Sequence, residues 1–427
     1  MSGRYWIETL GCPKNQVDSD KIAGSLLAEG YGPAQRVEDA DLVVVNTCAF
    51  IEEARAESIE TILLLSEARR RGARLVVTGC LAARAGAELA ASVPEIDLVA
   101  DVGVPVSLLG GSKFIGNKTA ANDIPRLDLL ELPRPPANAP WAYVKIAEGC
   151  DRACGFCAIP SFRGPQRSRQ PEAILGEIDE LNVKEVILVA QDLASYGRDL
   201  GRAGALLDLL GDVSSRVARV RLLYLYPSSL SDELISAIAA TNVAYFDLSL
   251  QHVSRALLRR MRRYGGTKRF VERIAKIRAV APHAALRSSF ICGYPGETEE
   301  DHDELLSFLR EVELDWAGFF TFSEEQGTLA CTLDDKIDRS LALERLRECS
   351  EIQDAITARK RSALIGEKTD VLIDAPGIAR SYREAPEIDG IIKVPMTLSA
   401  GSIESVVISS AEGCDLKARH SLGHVVT

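Results

Sequence analysis

The chain has 427 residues, 46% of them hydrophobic, which is too long for one core and enough to bury two or three domains. Its formal net charge of −11, from 50 basic and 61 acidic residues, disfavours a phosphate backbone as main partner, because such binding works through Lys and Arg that release counterions. No stretch reaches the length of a transmembrane span, and Met1 to Leu10 lacks the basic-then-apolar form of a signal peptide, so a cytoplasmic protein without a membrane partner is expected.

In the first third, Trp6 to Leu10, Leu42 to Val45 and Leu75 to Val77 read as short apolar strands. Val17 to Ala28, Glu52 to Arg70 and a segment from Leu81 read as helices between and after them. The alternation predicts a parallel sheet with helices on its faces, in a domain spanning residues 1–128. Cys12, Cys48 and Cys80 each follow one of the three strands, so they fall at carboxyl ends, where open α/β sheets place ligands. Gly11 and Gly79 let the backbone turn beside two of the thiols. The trio is expected to converge on a cluster with one open iron; the alternative is three unrelated buried thiols.

Residues 129–140 contain the Pro-rich run Glu131 to Pro140 and read as an extended linker. From 141 to 363 six apolar strand candidates alternate with helical patterns: Ala142 to Ile146, Glu185 to Ala190, Val220 to Leu225, Ala244 to Leu250, Ala285 to Cys292 and Trp316 to Phe322. This predicts a partial (β/α)6 barrel whose site lies at the strands' carboxyl ends. Gly293 to Glu300 follows the fifth strand there as a turn, with Thr298 or Glu297 to cap the next helix, with or without a ligand contact. The basic run Arg255 to Arg263, with Lys268 and Arg269, is either a solvated face or a polyanion contact.

The loop after the first barrel strand carries Cys150, Cys154 and Cys157 in a CxxxCxxC spacing. Structural zinc takes four closed ligands and Fe–S clusters usually take four thiolates, so three thiols in one loop point to an iron site left open, with a zinc knuckle or a chance run as the alternative. Cys292, Cys331, Cys349 and Cys414 have no partner at a ligand spacing and are expected as buried or incidental thiols. Residues 364–427 hold short β runs at Val371 to Asp374, Gly390 to Val394 and Glu404 to Ile408, which fit a small five-stranded all-β barrel. That segment has 6 Lys plus Arg against 9 Asp plus Glu, which suits a basic protein partner better than RNA.

The CxxxCxxC loop, with Phe156 before its last cysteine, resembles the signature of radical S-adenosylmethionine (SAM) enzymes, in which three cysteines hold a 4Fe-4S cluster and SAM binds the fourth iron. Two three-cysteine sets, the barrel and the terminal, TRAM-like β barrel together resemble the radical-SAM methylthiotransferase family over essentially the full chain. Its members attach a methylthio group either to a tRNA adenosine or to an aspartate β-carbon of ribosomal protein uS12. Gly11-Cys12-Pro13-Lys14-Asn15, Glu148 to Arg152, Ile159-Pro160, Arg163-Gly164, Arg167-Ser168-Arg169, Gln191-Asp192, Tyr196-Gly197 and Arg383 to Gly390 resemble the uS12 branch.

The resemblance implies two 4Fe-4S clusters, one on Cys150, Cys154 and Cys157 that cleaves SAM to a 5'-deoxyadenosyl radical, and an auxiliary one on Cys12, Cys48 and Cys80. SAM would serve as radical source and methyl donor, with Phe156 near its adenine. Arg163, Arg167 and Arg169 would position a carboxylate or only neutralise surface charge. The partners implied are uS12, free or on the small ribosomal subunit, a flavodoxin- or ferredoxin-type electron donor, and a sulfide or persulfide source, acting on a monomer. The rival readings are a tRNA adenosine methylthiotransferase and a non-catalytic iron-sulfur carrier or scaffold.

Overall fold

The computed structural model describes residues 3–107, 114–115, 127–202 and 204–421, so the expected outer limits at residues 1 and 427 lie outside the described residues. The N-terminal sheet is parallel throughout, in the order Gly32–Pro33, β1 (Arg4–Thr9), β2 (Leu42–Thr47), β3 (Arg74–Gly79), β4 (Leu98–Ala100), Phe114–Ile115. Strand β2 is buried along its whole length, as expected of a central strand covered on both faces. Helix α1 (Pro13–Ala28) starts with proline in its first turn, where a missing N–H costs nothing; α2 (Glu52–Ala68) and α3 (Cys80–Ser92) follow β2 and β3.

Six parallel strands then form the central partial barrel in sequence order: β5 (Trp141–Lys145), β6 (Glu185–Val189), β7 (Arg219–Leu222), β8 (Tyr245–Gln251), β9 (Ala285–Cys292) and β10 (Trp316–Thr321). A single bridge, Leu225 to Leu248, joins its two three-stranded halves. Most of the helices between the strands cover the outside, and the apolar core lies between them and the strands. The C-terminal unit is a closed five-stranded β barrel, as expected, built from Lys368–Ala375, Ile378–Arg380, Ile392–Lys393, Ile403–Glu412 and Asp415–His420.

The segment 381–389 of that unit closes the amino end of the central barrel. Tyr143 donates its hydroxyl to the Pro386 carbonyl at 2.9 Å, Trp316 Nε1 donates to the Arg383 carbonyl at 2.7 Å, and the Tyr245 hydroxyl bonds Asp389 at 2.6 Å. With that end sealed, the carboxyl end is the open one.

The Pro-rich run packs between sheet and barrel. The Leu132 carbonyl accepts from Lys21 Nζ at 2.5 Å, and Arg134 pairs with Asp20 of α1 and with Glu177. Helix α1 is therefore covered on two sides, by its own sheet and by the barrel. Its buried Asp18 and Lys21 find partners across that boundary: Lys21 on Glu177 at 2.5 Å, and Asp18 on Lys145 and Arg163. Buried charges of this kind stand only when paired, so the boundary has one relative orientation of the two domains that satisfies them.

Candidate metal centres and the space between them

The central loop is closed at its base by Ala147–Glu148 paired antiparallel with Arg167–Ser168. Inside it the Cys150 N–H donates to the Gly164 carbonyl at 3.1 Å, and the Cys157 N–H donates to the Cys154 carbonyl at 3.2 Å. The Arg152 N–H points at Cys150 Sγ at 3.4 Å, and Arg263 Nη1 points at Cys154 Sγ at 3.4 Å. Arg152 bonds Asp192 at 2.6 Å, and the Arg152 and Arg263 guanidiniums lie on the Tyr226 ring, each 4.0 Å from its centroid. Burial is the main cause that pushes the Cys157 thiol up, to about 12.

The N-terminal trio is assembled from three chain segments. Cys12 follows β1 and Cys48 follows β2, and Cys80 opens α3 directly after β3. Asn15 ties the segments together, its Nδ2 donating to the Leu10 carbonyl at 2.9 Å and the Thr47 carbonyl at 3.0 Å. The Cys48 N–H and carbonyl are both held by the Ser58 hydroxyl, at 3.1 and 2.9 Å. A Cβ on Gly11 would stand 2.7 Å from Cys48 Sγ, so the first and second loops touch.

Burial is the main cause that pushes the Cys48 thiol up, to about 11, with a smaller contribution from the neighbouring Cys12 and Cys80. Burial also acts to raise Cys12, but Lys14, the N–H groups of Asn15 and Lys14, and Arg163 together outweigh it and leave this thiol lowered.

The two carboxyl edges face each other. Arg163, at the end of the short helix Ile159–Arg163 after Cys157, reaches across to Cys80 Sγ at 3.1 Å and Asn15 Oδ1 at 3.2 Å. Its other nitrogen bonds Asp18 at 2.9 Å and Glu148 at 3.3 Å. Lys14 lies over the ring of Tyr224, just beyond β7, at 3.5 Å from the centroid. Glu325, beyond β10, pairs with Arg55 of α2 at 2.5 Å and with Arg84 of α3.

Among the described residues no three thiols, imidazoles and carboxylates close on one point as a single ion requires. A cluster makes a different demand, since its thiolates bond separate irons and stand apart. Three thiols per set, met by peptide N–H groups and guanidiniums, form a donor set suited to an anionic iron-sulfur group.

Of the other residues singled out in the sequence, Thr298 caps its helix in a capping box with Asp301, while Glu297 turns back to accept from the Gly293 and Tyr294 N–H groups. Phe156 packs partly buried on the barrel core. Arg167 pairs with the exposed Asp128, and Arg169 is buried on Glu177 at 2.9 Å. Cys292 and Cys349 are fully buried, Cys331 is half-buried and Cys414 is exposed. The basic run Arg255 to Arg263 is no uniform solvated face, because Arg263 turns inward onto Cys154. Arg152 and Lys14 were legible only as parts of motifs, with no signal for what they touch.

Three family models match in succession: the uncharacterized protein family UPF0004 over residues 4–101, the radical SAM superfamily over 144–309 and the TRAM domain over 365–420. The solved structure of TsrM from Kitasatospora setae, a radical S-adenosylmethionine methyltransferase, is similar in fold, with TM-score 0.50 and 14% identity over 77% of this chain and 74% of that one. Proteins named ribosomal protein uS12 methylthiotransferase RimO are similar over nearly their full length. The one from Thermotoga maritima is 39% identical over 97% of this chain and 99% of its own. The one from Thermodesulfovibrio yellowstonii is 40% identical over 96% and 97%, and the one from Saccharopolyspora erythraea 39% over 98% and 95%. Likeness at that level across both cysteine sets, the barrel and the terminal unit alike means that the chain belongs to the ribosomal protein uS12 methylthiotransferase family.

Proposed function

We infer that this chain is a radical-SAM methylthiotransferase that attaches a methylthio group to the β-carbon of an aspartate in ribosomal protein uS12. The observation that carries the reading is the apposition of two three-cysteine sets at facing carboxyl edges, with Arg163 of one loop bonded to Cys80 of the other set. In this reading Cys150, Cys154 and Cys157 hold the SAM-binding 4Fe-4S cluster, and Cys12, Cys48 and Cys80 hold a second, auxiliary one. Bound there, the clusters and SAM supply the one-electron chemistry that activates an inert C–H bond, which no side-chain base could readily ionise.

The chain's own residues bind, orient and exclude water. Arg152 and Arg263 set positive charge beside the SAM-binding cysteines, Arg163 does the same for Cys80, and Phe156 packs toward the adenine. The closed amino end and the Lys145, Asp18, Glu148 and Arg163 ion pairs keep the two sets in one fixed relation, so that the reacting groups meet away from solvent. The surplus of acids in the terminal barrel supports a basic protein partner over a phosphate backbone. The working units are residues 1–128, the linker 129–140, 141–363 and 364–427 of a monomer, fed by a flavodoxin- or ferredoxin-type donor and a sulfide or persulfide source.

The test is anaerobic reconstitution with iron and sulfide, addition of SAM and dithionite, and mass measurement of uS12 and of bulk tRNA. One methylthio group gained on a uS12 aspartate is the expected result. A gain on tRNA adenosine instead would overturn the substrate, and absence of 5'-deoxyadenosine would overturn the radical chemistry.

A further inference from the structure

Cations are numerous where the two cysteine sets face each other, and most already have an anion. Lys145 holds Asp18 and Glu148, Arg152 holds Asp192, and Arg163 holds Asp18 and Glu148. Among the described residues Arg263 has no carboxylate, but its Nη2 donates to the Ser249 carbonyl and its Nη1 points at Cys154 Sγ. Lys14 differs from all of them. Among the described residues its ammonium has no carboxylate and no hydrogen-bond acceptor; it lies on the face of Tyr224 with its charge acting on the nearby Cys12 thiol, and the side chain is half-buried.

A partly buried ammonium without a hydrogen-bond acceptor is costly, and an aromatic face recovers only part of that cost. Tyr224 is itself held in an unusual way. Its φ of 64° lies in the left-handed region that bulky residues avoid, and its N–H is fixed on Asp247 at 2.9 Å. A strained backbone thus presents the ring to Lys14 from the carboxyl end of the barrel, and Lys14 stands two residues beyond Cys12. The arrangement leaves the three donors of the Lys14 ammonium, beside the N-terminal cysteine set, without a hydrogen-bond acceptor among the described residues.

We propose that Lys14 is the specificity residue for the substrate side chain, taking the carboxylate of the uS12 aspartate in a salt bridge above the Tyr224 ring. The inference rests on the function proposed above. The carboxyl carbon of an aspartate is bonded directly to the β-carbon that reacts, so a salt bridge at Lys14 fixes the reacting carbon one bond away and next to Cys12. An asparagine or a neutral base offers no charge to the ammonium and is refused at that point.

The test compares uS12 carrying its natural aspartate with uS12 carrying Asp→Asn at the modified position. Binding to the reconstituted but unreduced protein is measured by calorimetry, and KM and kcat are measured after reduction. The wild-type protein should bind the aspartate form about tenfold or more tightly, the scale of a hydrogen bond to a charged group. Lys14→Met should bind both forms equally and raise KM for the aspartate form, while Lys14→Arg should keep the preference.

A wild-type protein that binds both forms alike overturns the proposal without any variant, and so does a Lys14→Met protein that still prefers aspartate. Loss of iron in Lys14→Met together with loss of preference in Lys14→Arg would make Lys14 a prop for Cys12 and also overturn it. If the wild type leaves uS12 unmodified while cleaving SAM, the underlying reading fails instead, so the two failures are distinguishable.

Discussion

In the function proposed, the two cysteine sets do the same kind of binding from opposite kinds of structure. Cys150, Cys154 and Cys157 lie within eight residues of one loop, closed at its base by a two-residue antiparallel pair. Cys12, Cys48 and Cys80 come from three segments joined by sheet register and by Asn15. The cation beside each set differs as well: Arg263 reaches Cys154 from the same barrel, whereas Arg163 reaches Cys80 from the other domain. The central set therefore draws its cations from its own domain, whereas the N-terminal set adds Arg163 of the other domain to its own Lys14. Dependence between the centres runs one way, from barrel to sheet.

The largest expected effect follows from that division. Cys150→Ala should abolish both 5'-deoxyadenosine formation and methylthiolation. Cys12→Ala should abolish methylthiolation while the SAM-cleaving chemistry continues, as read by chromatography of the nucleoside and the mass of uS12. Equal loss of 5'-deoxyadenosine in both would erase the one-way dependence.

Arg163→Met comes next. It leaves the buried Asp18 and the largely buried Glu148 with Lys145 as their one remaining cation among the described residues and takes the guanidinium from Cys80, so a loss on the order of 3–5 kcal/mol in unfolding free energy is expected, as for breaking a buried pair. Iron bound at the N-terminal set should fall while the central set keeps its own, which spectroscopy of each centre in isolation checks. Iron lost first from the central set would reverse the comparison.

How much of this was legible differs between the two sets for the same physical reason. Spacing alone marked the central loop, and strand patterning marked the N-terminal cysteines, because fully buried strands such as Leu42–Thr47 write themselves as apolar runs. What joins the sets was not written locally. Asp18 and Lys21 sit on a helix face that an amphipathic reading assigns to water, yet α1 lies between sheet and barrel. The inward turn of Arg263 was hidden in a basic run, because the helix there stops at Arg260 and Arg262 takes a φ of 53°, which swings the chain around. The Arg383 to Gly390 stretch stood out as a motif, but its place at the barrel's amino end is a tertiary fact with no local signature.

The smallest effects give the sharpest comparison, because two glycines share one backbone strain and differ in crowding. Gly79, before Cys80, has φ 91° and ψ −157°, and Gly164, after Arg163, has φ 75° and ψ −170°. Both angles fall in a region that only glycine occupies readily, at a cost on the order of 1–3 kcal/mol for any other residue. A Cβ on Gly79 would stand 2.6 Å from the Thr47 carbonyl and 2.7 Å from its N–H, backbone that cannot move without shifting β2, whereas a Cβ on Gly164 meets nothing within 4 Å. Gly164→Ala should therefore lower thermal stability by the strain alone and leave iron binding intact. Gly79→Ala should cost more and displace Cys80 from Cys12 and Cys48, so that iron is lost from the N-terminal set. Equal destabilisation by the two substitutions would mean that strain rather than register holds the N-terminal cysteines together, and the contrast between a local loop and an assembled site would fail at its most sensitive point.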